Sequence, residues 1–333
     1  MQLHLGPFQG ITDVWFRKTY QQYFTGLDKL YTPFFGGIHN LNSKHFKSDE
    51  LSPLLNDVGI LVPQLLTNSA NELERFALQC HGLGYSEVNI NMGCPWPQVT
   101  TKKRGCGLMP YPGMVESLLN VVRDLPVKVS VKCRLGMHDV TELYALMPVF
   151  EKTGVSELIV HTRTGKQLYK GHAQPDALAP IIANCAIPIV YNGDIFESTD
   201  CGRFGNILPR MAGMMLGRGL LADPFLAADI KGLACEHGNK ERAEVVRKFI
   251  TTLTEQRLKG RRRVKAVPGP MKELWWYLSS SFDQPVRVWR QIRKAALVEE
   301  FLDVQAEVFS QYEWIGSGFA RKFLQNEKEI SLD

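Results

Sequence analysis

The chain has 333 residues, 44% of them hydrophobic and 22% charged, which is typical of a soluble globular protein with one large domain and a smaller one. Its seven cysteines are odd in number and form no Cys-X-X-Cys pair, which argues against a disulfide framework and a zinc ribbon. No apolar run reaches membrane-spanning length and no secretory signal opens the chain, so we expect a cytoplasmic protein that binds no metal and touches no membrane.

Short apolar stretches alternate with amphipathic stretches over the first two thirds of the chain. The predicted strands are residues 3–7, 30–34, 61–66, 87–92, 127–134, 157–161, 187–192 and 213–217. The predicted helices among them are residues 13–24, 69–83, 112–124, 141–152, 175–184 and 198–208. Eight strands separated mostly by helices predict a (β/α)₈ barrel rather than an open doubly wound sheet.

The pattern changes after about Cys235 to helices that carry regularly spaced basic residues. Predicted helices cover residues 241–258, 270–279 and 286–301, and a basic run occupies residues 259–265. We therefore predict two domains, a barrel over residues 1–235 and a small helical domain over residues 236–333. The basic residues of the second domain that we single out are Lys272, Arg287, Arg290, Arg293 and Lys294.

Polar side chains lie at the ends of six of the eight predicted strands. Burial of such groups without partners is costly, and the carboxyl ends of barrel strands converge on one face, so we expect these residues to form a site there. They are Gln64, Asn91 with Cys94, Lys132 with Arg134, His161 with Arg163, Asn192 through Asp194, and Gly217 with Arg218.

Cys94 follows the strand at residues 87–92, in which Asn89 and Asn91 alternate with apolar residues. The proline after it restricts Cys94 to extended conformations and presents its thiol on a loop. As a nucleophile Cys94 needs a nearby base such as His161, whereas as an acid it needs no activation, because a thiol of pKa near ~8.5 is mostly protonated at neutral pH. The residues themselves leave both roles open.

The loops after the last two strands, Asn192-Gly-Asp and Leu216-Gly-Arg-Gly, favour a phosphate-bearing cofactor, because small residues let backbone N–H groups approach an anion. Arg218 adds a charged fork there. Lys132 and Arg134 are two residues apart and so face the same side of their strand. An inward lysine suits a flavin, whose reduced ring is anionic.

Seven segments of the chain resemble motifs of the tRNA-dihydrouridine synthases, which are FMN enzymes that reduce uridine in tRNA. The resemblance covers nearly the whole length and depends on the order and spacing of the segments. They begin at Gly6-Pro-Phe-Gln, Pro63-Gln-Leu-Leu, Asn89-Ile-Asn-Met-Gly-Cys-Pro, Val131-Lys-Cys-Arg, His161-Thr-Arg-Thr-Gly-Lys-Gln, Asn192-Gly-Asp-Ile and Leu216-Gly-Arg-Gly.

This resemblance implies a role for each residue of the predicted site. Cys94 matches the proton donor, which acts opposite the hydride from FMN. Substrate-binding positions are matched by Asn91, Arg134 and Arg163, with Lys272 and Arg287 as candidates for gripping the tRNA backbone. FMN-binding positions are matched by Pro7, Phe8, Gln9, Gln64, Lys132, His161, Asn192, Gly193, Asp194, Gly217 and Arg218.

The resemblance also implies NADPH as a transient reductant, since the chain contains no dinucleotide fingerprint. The C-terminal segment resembles the bacterial branch that modifies uridine 16, in the D-loop, and we expect a monomer. Two alternatives stay open: another FMN-dependent barrel that acts on a small pyrimidine-like substrate, and a non-catalytic RNA-binding barrel. The basic helices argue against the first, and Cys94 with Lys132 argues against the second.

Overall fold

The computed structural model describes residues 1–40, 43–233, 238–259, 267–316 and 319. These residues separate into two compact units. The first contains residues 1–9, 28–194 and 202–216, and the second contains residues 10–27, 195–201 and the described residues from 217 onward. Cys235 at the predicted domain boundary and residues 260–265 of the basic run lie outside the described residues. The boundary itself stays a prediction.

The first unit contains a parallel sheet that forms the predicted barrel. Its strands are β1 (Gln2–Leu5), β2 (Lys29–Tyr31), β3 (Leu61–Val62), β4 (Gln64–Leu65), β5 (Glu87–Met92), β6 (Lys128–Gly136), β7 (Glu157–Thr164), β8 (Ile189–Asn192) and β9 (Gly213–Leu216). They pair in the order β3-β2-β1-β9-β8-β7-β6-β5-β4. Because β3 and β4 are the two halves of one predicted strand, all eight predicted strands and the (β/α)₈ class are confirmed.

Pro63 divides the strand at which the barrel closes. It has no N–H to donate, so the ladder is interrupted there. Its carbonyl still accepts from Asn89 N at 2.8 Å, toward β5, while Val62 O accepts from Thr32 N at 3.2 Å, toward β2. Residues 61–65 therefore pair with β2 through β3 and with β5 through β4.

The helices follow the predicted pattern, with additional short ones. They are α1 (Val14–Tyr23), α2 (Ala70–Gly82), α3 (Pro97–Thr100), α4 (Pro112–Leu119), α5 (Thr141–Thr153), α6 (Ala179–Asn184), α7 (Asp200–Ile207), α8 (Arg218–Ala222), α9 (Leu226–Ile230), α10 (Asn239–Leu258), α11 (Gly269–Leu278), α12 (Pro285–Lys294) and α13 (Val298–Gln311). Short 3₁₀ turns lie at Lys44–Lys47, Asp49–Leu51, Gly105–Leu108, Val122–Asp124, Pro175–Leu178 and Ser279–Ser281.

The single helix predicted over residues 286–301 is wrong, because the chain breaks it into α12 and α13. Glu300 lies three residues into α13, and its carboxylate accepts from Ala296 N at 3.1 Å and Leu297 N at 3.2 Å. A glutamate that caps the N–H groups ahead of its own helix creates a new helix start. Ala295 closes the preceding helix, and it is buried.

A buried ion cluster lies at the amino ends of the barrel strands. Lys29 Nζ lies 2.9 Å from Glu87 and 3.2 Å from Glu157. Burial lowers the pKa of Lys29, but the two carboxylates outweigh it, so that this pKa lies above its usual value. Burial takes the pKa of His4 down to about 3, which keeps its ring neutral. Polar groups at this end of a barrel contribute to stability.

The second unit has an aromatic core. Phe16 on α1 meets Phe249 on α10 edge to face, and Trp275 on α11 stacks with Phe282. Arg257 is buried and donates to Asp13 at 3.0 Å. Within the part of the chain that the structure describes, no helix combines the length and apolar character needed to cross a bilayer.

Candidate active site

A connected row of amides and hydroxyls crosses the inside of the barrel. Ser130 Oγ donates to Glu87 at 2.6 Å and accepts from Asn89 Nδ2 at 2.9 Å. Gln64 Nε2 then donates to Asn89 Oδ1 at 2.8 Å, and Asn91 Nδ2 donates to Gln64 Oε1 at 2.8 Å. Each residue pairs with the next, so the row fixes the orientation of every amide in it.

Asn91 connects this row to the loop that carries the thiol. Its Oδ1 accepts from Gly93 N at 3.1 Å and from Cys94 N at 2.9 Å. The carboxamide predicted to hold the substrate base therefore holds the turn at Cys94, and its contact with a base stays a prediction.

The Cys94 loop is closed by a second cysteine. Cys94 O accepts from Cys106 N at 3.1 Å and from Cys106 Sγ at 3.3 Å. Gly105 has φ +56°, and a Cβ added there would overlap Cys94 O, so only glycine fits. The approach of these two segments holds Cys94 in a half-buried position at the strand ends.

The Cys94 thiol is favoured in its protonated form. Burial raises the pKa of Cys94, while a hydrogen bond from the Trp96 backbone and the positive charges of Arg134 and Lys132 oppose that rise. The net direction is upward, so the group can donate a proton at neutral pH. This state suits an acid better than a nucleophile.

Lys132 lies half-buried on β6, and its Nζ donates to Asn192 Oδ1 at 3.2 Å. Asn192 in turn donates to Met215 O at 2.8 Å. Burial, followed by the charge of Arg134, lowers the pKa of Lys132 to about 8. Within the described residues its hydrogen-bond partner is a neutral amide, so an anion beside it would relieve an unfavourable charge.

Arg134 joins two loops at the carboxyl ends of the strands. Its Nε donates to Gly93 O at 3.0 Å, and its Nη1 donates to Thr164 O at 2.8 Å and Leu168 O at 2.7 Å. The side chain is buried, and its guanidinium lies 5.4 Å from the centre of the Tyr169 ring. Arg134 therefore holds the loops on either side of the thiol.

Arg163 forms a buried bidentate pair with Asp194. The two Arg163 nitrogens lie 2.9 and 2.6 Å from the Asp194 oxygens, and the side chains are 0% and 9% exposed. Arg163 Nη2 also donates to Gly171 O at 2.6 Å, and Nη1 lies 3.3 Å from His161 Nε2. Arg163 was predicted to contact the substrate base and Asp194 to bind FMN, but in the structure the two side chains pair with each other.

The remaining predicted cofactor residues are distributed over both units. In the first, Gly6 N donates to Leu216 O at 2.7 Å, and Pro7 and Phe8 follow half-buried, with Gln9 exposed. Gly193 has φ +147°, and a Cβ there would come within 2.8 Å of the Ala173 Cβ. In the second, Gly217 precedes α8, and Arg218 lies 5.4 Å from the Phe196 ring centre.

Two basic surfaces are exposed. In the first unit, Lys102 and Lys103 follow α3. In the second, Val288 and Ile292 bury one face of α12, while Arg287, Arg290, Arg293 and Lys294 are exposed. Lys272 Nζ donates to Arg293 O at 3.1 Å. The four exposed cations of α12 have no ion pair among the described residues.

A known protein family matches most of the chain. Residues 4–311 match the family model described as "Dihydrouridine synthase (Dus)". The chain belongs to the dihydrouridine synthase family. The predictions of this family and of a flavin-dependent oxidoreductase within it are confirmed.

Individual members of the dihydrouridine synthase family are similar over two thirds of the chain or more. "tRNA-dihydrouridine synthase B" of Pasteurella multocida is 29% identical over 230 residues, 68% of this chain and 67% of the relative. "Probable tRNA-dihydrouridine synthase 1" of Synechocystis is 30% identical over 277 residues, covering 81% and 76%. "tRNA-dihydrouridine(16) synthase" of Ralstonia nicotianae is 27% identical over 247 residues, covering 73% and 75%.

The residues that support the site from within the barrel had no role in the predicted site. Glu87, Ser130 and Asn89 form the start of the amide row, yet none of them ends a strand. Their signal was present, since all three are polar residues at inward positions of strands β5 and β6. In a packed barrel such residues need partners on neighbouring strands.

Proposed function

We propose that this member of the dihydrouridine synthase family reduces the C5=C6 bond of a uridine in tRNA, with FMN as the cofactor, NADPH as the reductant and Cys94 as the proton donor. Uridine 16 is the proposed target, and the cytoplasm, where tRNA and NADPH occur, is the proposed location. We expect the protein to act as a monomer. The observation that carries the proposal is a half-buried thiol on a loop held by Asn91 and Arg134, in a chain of this family.

FMN fits the residues of the first unit. Lys132 is a half-buried cation whose described hydrogen-bond partner is neutral, and an electron-rich ring beside it would offset the cost of its burial. Gln64, Lys132, His161 and Pro7 through Gln9 would hold the flavin, and Asn192 through Asp194 its phosphate. Gly217 and Arg218 join the phosphate set as predictions from sequence alone. FMN, when bound, supplies the hydride that adds to C6 of uracil.

Cys94 would then deliver its proton to C5 of the same ring. Hydride addition at C6 leaves negative charge toward C5, which a neutral thiol can protonate. The thiolate formed in this step is stabilised by Arg134 and Lys132, and it regains a proton from solvent before the next turnover. Asn91 and Arg134 keep the Cys94 loop in place during the step. Arg163 and Asn91 remain proposed contacts of the base.

The substrate base is stacked or paired in folded tRNA, so it must be extruded before it can react. Extrusion requires a firm hold on the backbone, which exposed cations provide. We assign this role to Lys272 and Arg287 in the second unit, and to Lys102 and Lys103 in the first.

Cys94→Ala tests the proposal. The variant should retain bound flavin and NADPH oxidation by oxygen but lose reduction of unmodified tRNA transcripts by roughly 10²-fold or more, the usual contribution of a positioned acid. Cys185→Ala is the control, because Cys185 is a half-buried thiol of the first unit that follows α6, outside the Cys94 loop, and its loss should keep most activity. Full tRNA reduction by Cys94→Ala would contradict the role assigned to this thiol.

Mapping dihydrouridine in total tRNA from a strain that lacks the gene tests the target. Loss of dihydrouridine at position 16 supports the proposed target. Loss at another single position would support the proposed activity but identify that position as the target instead. An unchanged profile, or purified protein without flavin absorbance, would rule out the proposed function.

A further inference from the structure

Trp96 lies two residues after Cys94 with 69% of its surface exposed. The next most exposed tryptophan is Trp276, at 36%, whereas Trp275 and Trp314 are buried. Exposure of a large aromatic side chain forgoes the stabilisation that its burial would give. Single exposed apolar residues are common, so exposure alone assigns no role. The backbone contacts of Trp96 and the charges near it give the further evidence for a role.

The backbone of Trp96 is fixed on both sides. Pro95 and Pro97 flank it, and Pro97 begins α3. The Trp96 carbonyl accepts from Val99 N at 2.9 Å and from Thr100 N at 3.0 Å. Prolines lower the conformational freedom of a segment before any ligand binds. The indole is therefore presented from a fixed point next to the proposed proton donor.

The charge around Trp96 is positive. Lys102 and Lys103 follow within seven residues and are exposed, and neither has an ion pair among the described residues. Lys103 Nζ lies 4.4 Å from the centre of the Tyr111 ring, and Tyr111 is itself 39% exposed. Aromatic rings interleaved with free cations suit a single-stranded nucleic acid, in which bases stack on the rings and phosphates meet the cations.

We infer that the Trp96 indole is a stacking platform for an unpaired RNA base, the neighbour of the uridine that reacts at Cys94. This inference rests on the proposed function and adds a recognition element to it. Extrusion of the target unstacks the adjacent base as well, and an aromatic face beside Cys94 recovers part of that lost stacking. Because every base has a π-face, the platform contributes affinity without choosing a sequence.

Replacement of the indole tests this directly. Trp96→Ala should weaken binding of an unmodified tRNA transcript by roughly tenfold, the usual effect of removing one stacking ring, and Trp96→Phe should recover most of that loss. Tyr144→Ala is the matched control, an aromatic of the first unit that is 42% exposed on α5, and it should bind tRNA as the wild type does. Dissociation constants are measured by fluorescence anisotropy of labelled tRNA over a series of salt concentrations.

The salt series separates stacking from a change in the loop. Trp96→Ala removes no charge, so its plot of log affinity against log salt should run parallel to that of the wild type, shifted downward. Lys103→Ala should instead make the slope shallower by roughly 0.7–0.9. A shallower slope in Trp96→Ala would mean that the lysines had moved, and it would overturn the inference.

Two further outcomes also decide against stacking. Wild-type affinity in Trp96→Ala shows that the indole does not contact tRNA, and a Trp96→Phe variant as weak as Trp96→Ala shows that an aromatic face is not what matters. If the wild type binds and reduces tRNA in either case, only the stacking role fails. If the wild type reduces no tRNA, the proposed function fails first.

Discussion

The buried pair of Arg163 and Asp194 allows a quantitative prediction. Asp194→Ala leaves a guanidinium that is 0% exposed without its carboxylate partner. Removal of one member of a buried pair costs about 3–5 kcal/mol of unfolding free energy. Carbonyls of Lys170 and Gly171 still accept from Arg163, so we expect about 3 kcal/mol from the lost charge. Asp194 also has φ +46°, and alanine there adds about 1 kcal/mol of backbone strain.

Asp194→Asn separates the two effects, because asparagine tolerates a positive φ but carries no charge. We expect Asp194→Asn to lose less unfolding free energy than Asp194→Ala. The difference should equal the cost of the backbone strain, about 1 kcal/mol. Adding Arg163→Met to Asp194→Asn should restore part of the loss, since it removes the unpaired charge. Glu116→Gln is the control: it breaks the Lys152–Glu116 pair, whose side chains are 73% and 42% exposed, and it should change stability by less than about 0.5 kcal/mol.

Urea unfolding of the flavin-free variants, followed by circular dichroism and tryptophan fluorescence, measures these differences. An Asp194→Asn variant within about 0.5 kcal/mol of the wild type would refute the argument that the pair is a buried, mutually dependent unit. The single variant Arg163→Met addresses the predicted contact of Arg163 with the base. If contact with the base is its main role, Arg163→Met should keep native stability and raise the KM for tRNA.

Three other predictions follow from the site and the basic helix. Burial lowers the pKa of Lys132 to about 8, so its buried charge is lost as pH rises through that value. In the flavin-free protein the stability cost of this charge should be relieved between about pH 8 and its ordinary value of 10.5, and urea unfolding of Lys132→Met over the same pH range should lack this gain in unfolding free energy. A gain that persists in Lys132→Met would point to another group. Gly105→Ala should abolish tRNA reduction while Gly113→Ala, where an added Cβ meets nothing within 4 Å, keeps it, as measured by release of dihydrouridine from digested tRNA. Arg287→Ala and Arg290→Ala should each make the salt dependence of tRNA binding shallower by about 0.7–0.9, whereas Arg247→Ala, whose guanidinium is paired with Glu244 at 2.7 Å, should leave that slope unchanged.

The amino-acid sequence by itself determined the barrel and the ends of its strands that carry the site. Alternation of apolar and polar residues has a period fixed by the local backbone, so each strand could be predicted from its own residues. Cys94 could be identified in the same way, because the residues that present it are its neighbours in the chain. The break between α12 and α13 was not predicted, because the helical pattern of the sequence continues through it. The break depends on one carboxylate, that of Glu300, which accepts from the backbone N–H of Leu297.

Only the tertiary structure decided which polar side chains are partners. Asp194 is 31 residues from Arg163, and Gln64 is 27 residues from Asn91, so no local pattern relates them. Both pairs form because the barrel brings neighbouring strand ends within hydrogen-bond distance and excludes water that would otherwise satisfy them. The sequence could therefore indicate which polar residues lie at the strand ends. Burial determined which of them support one another, and it raises the pKa of the Cys94 thiol.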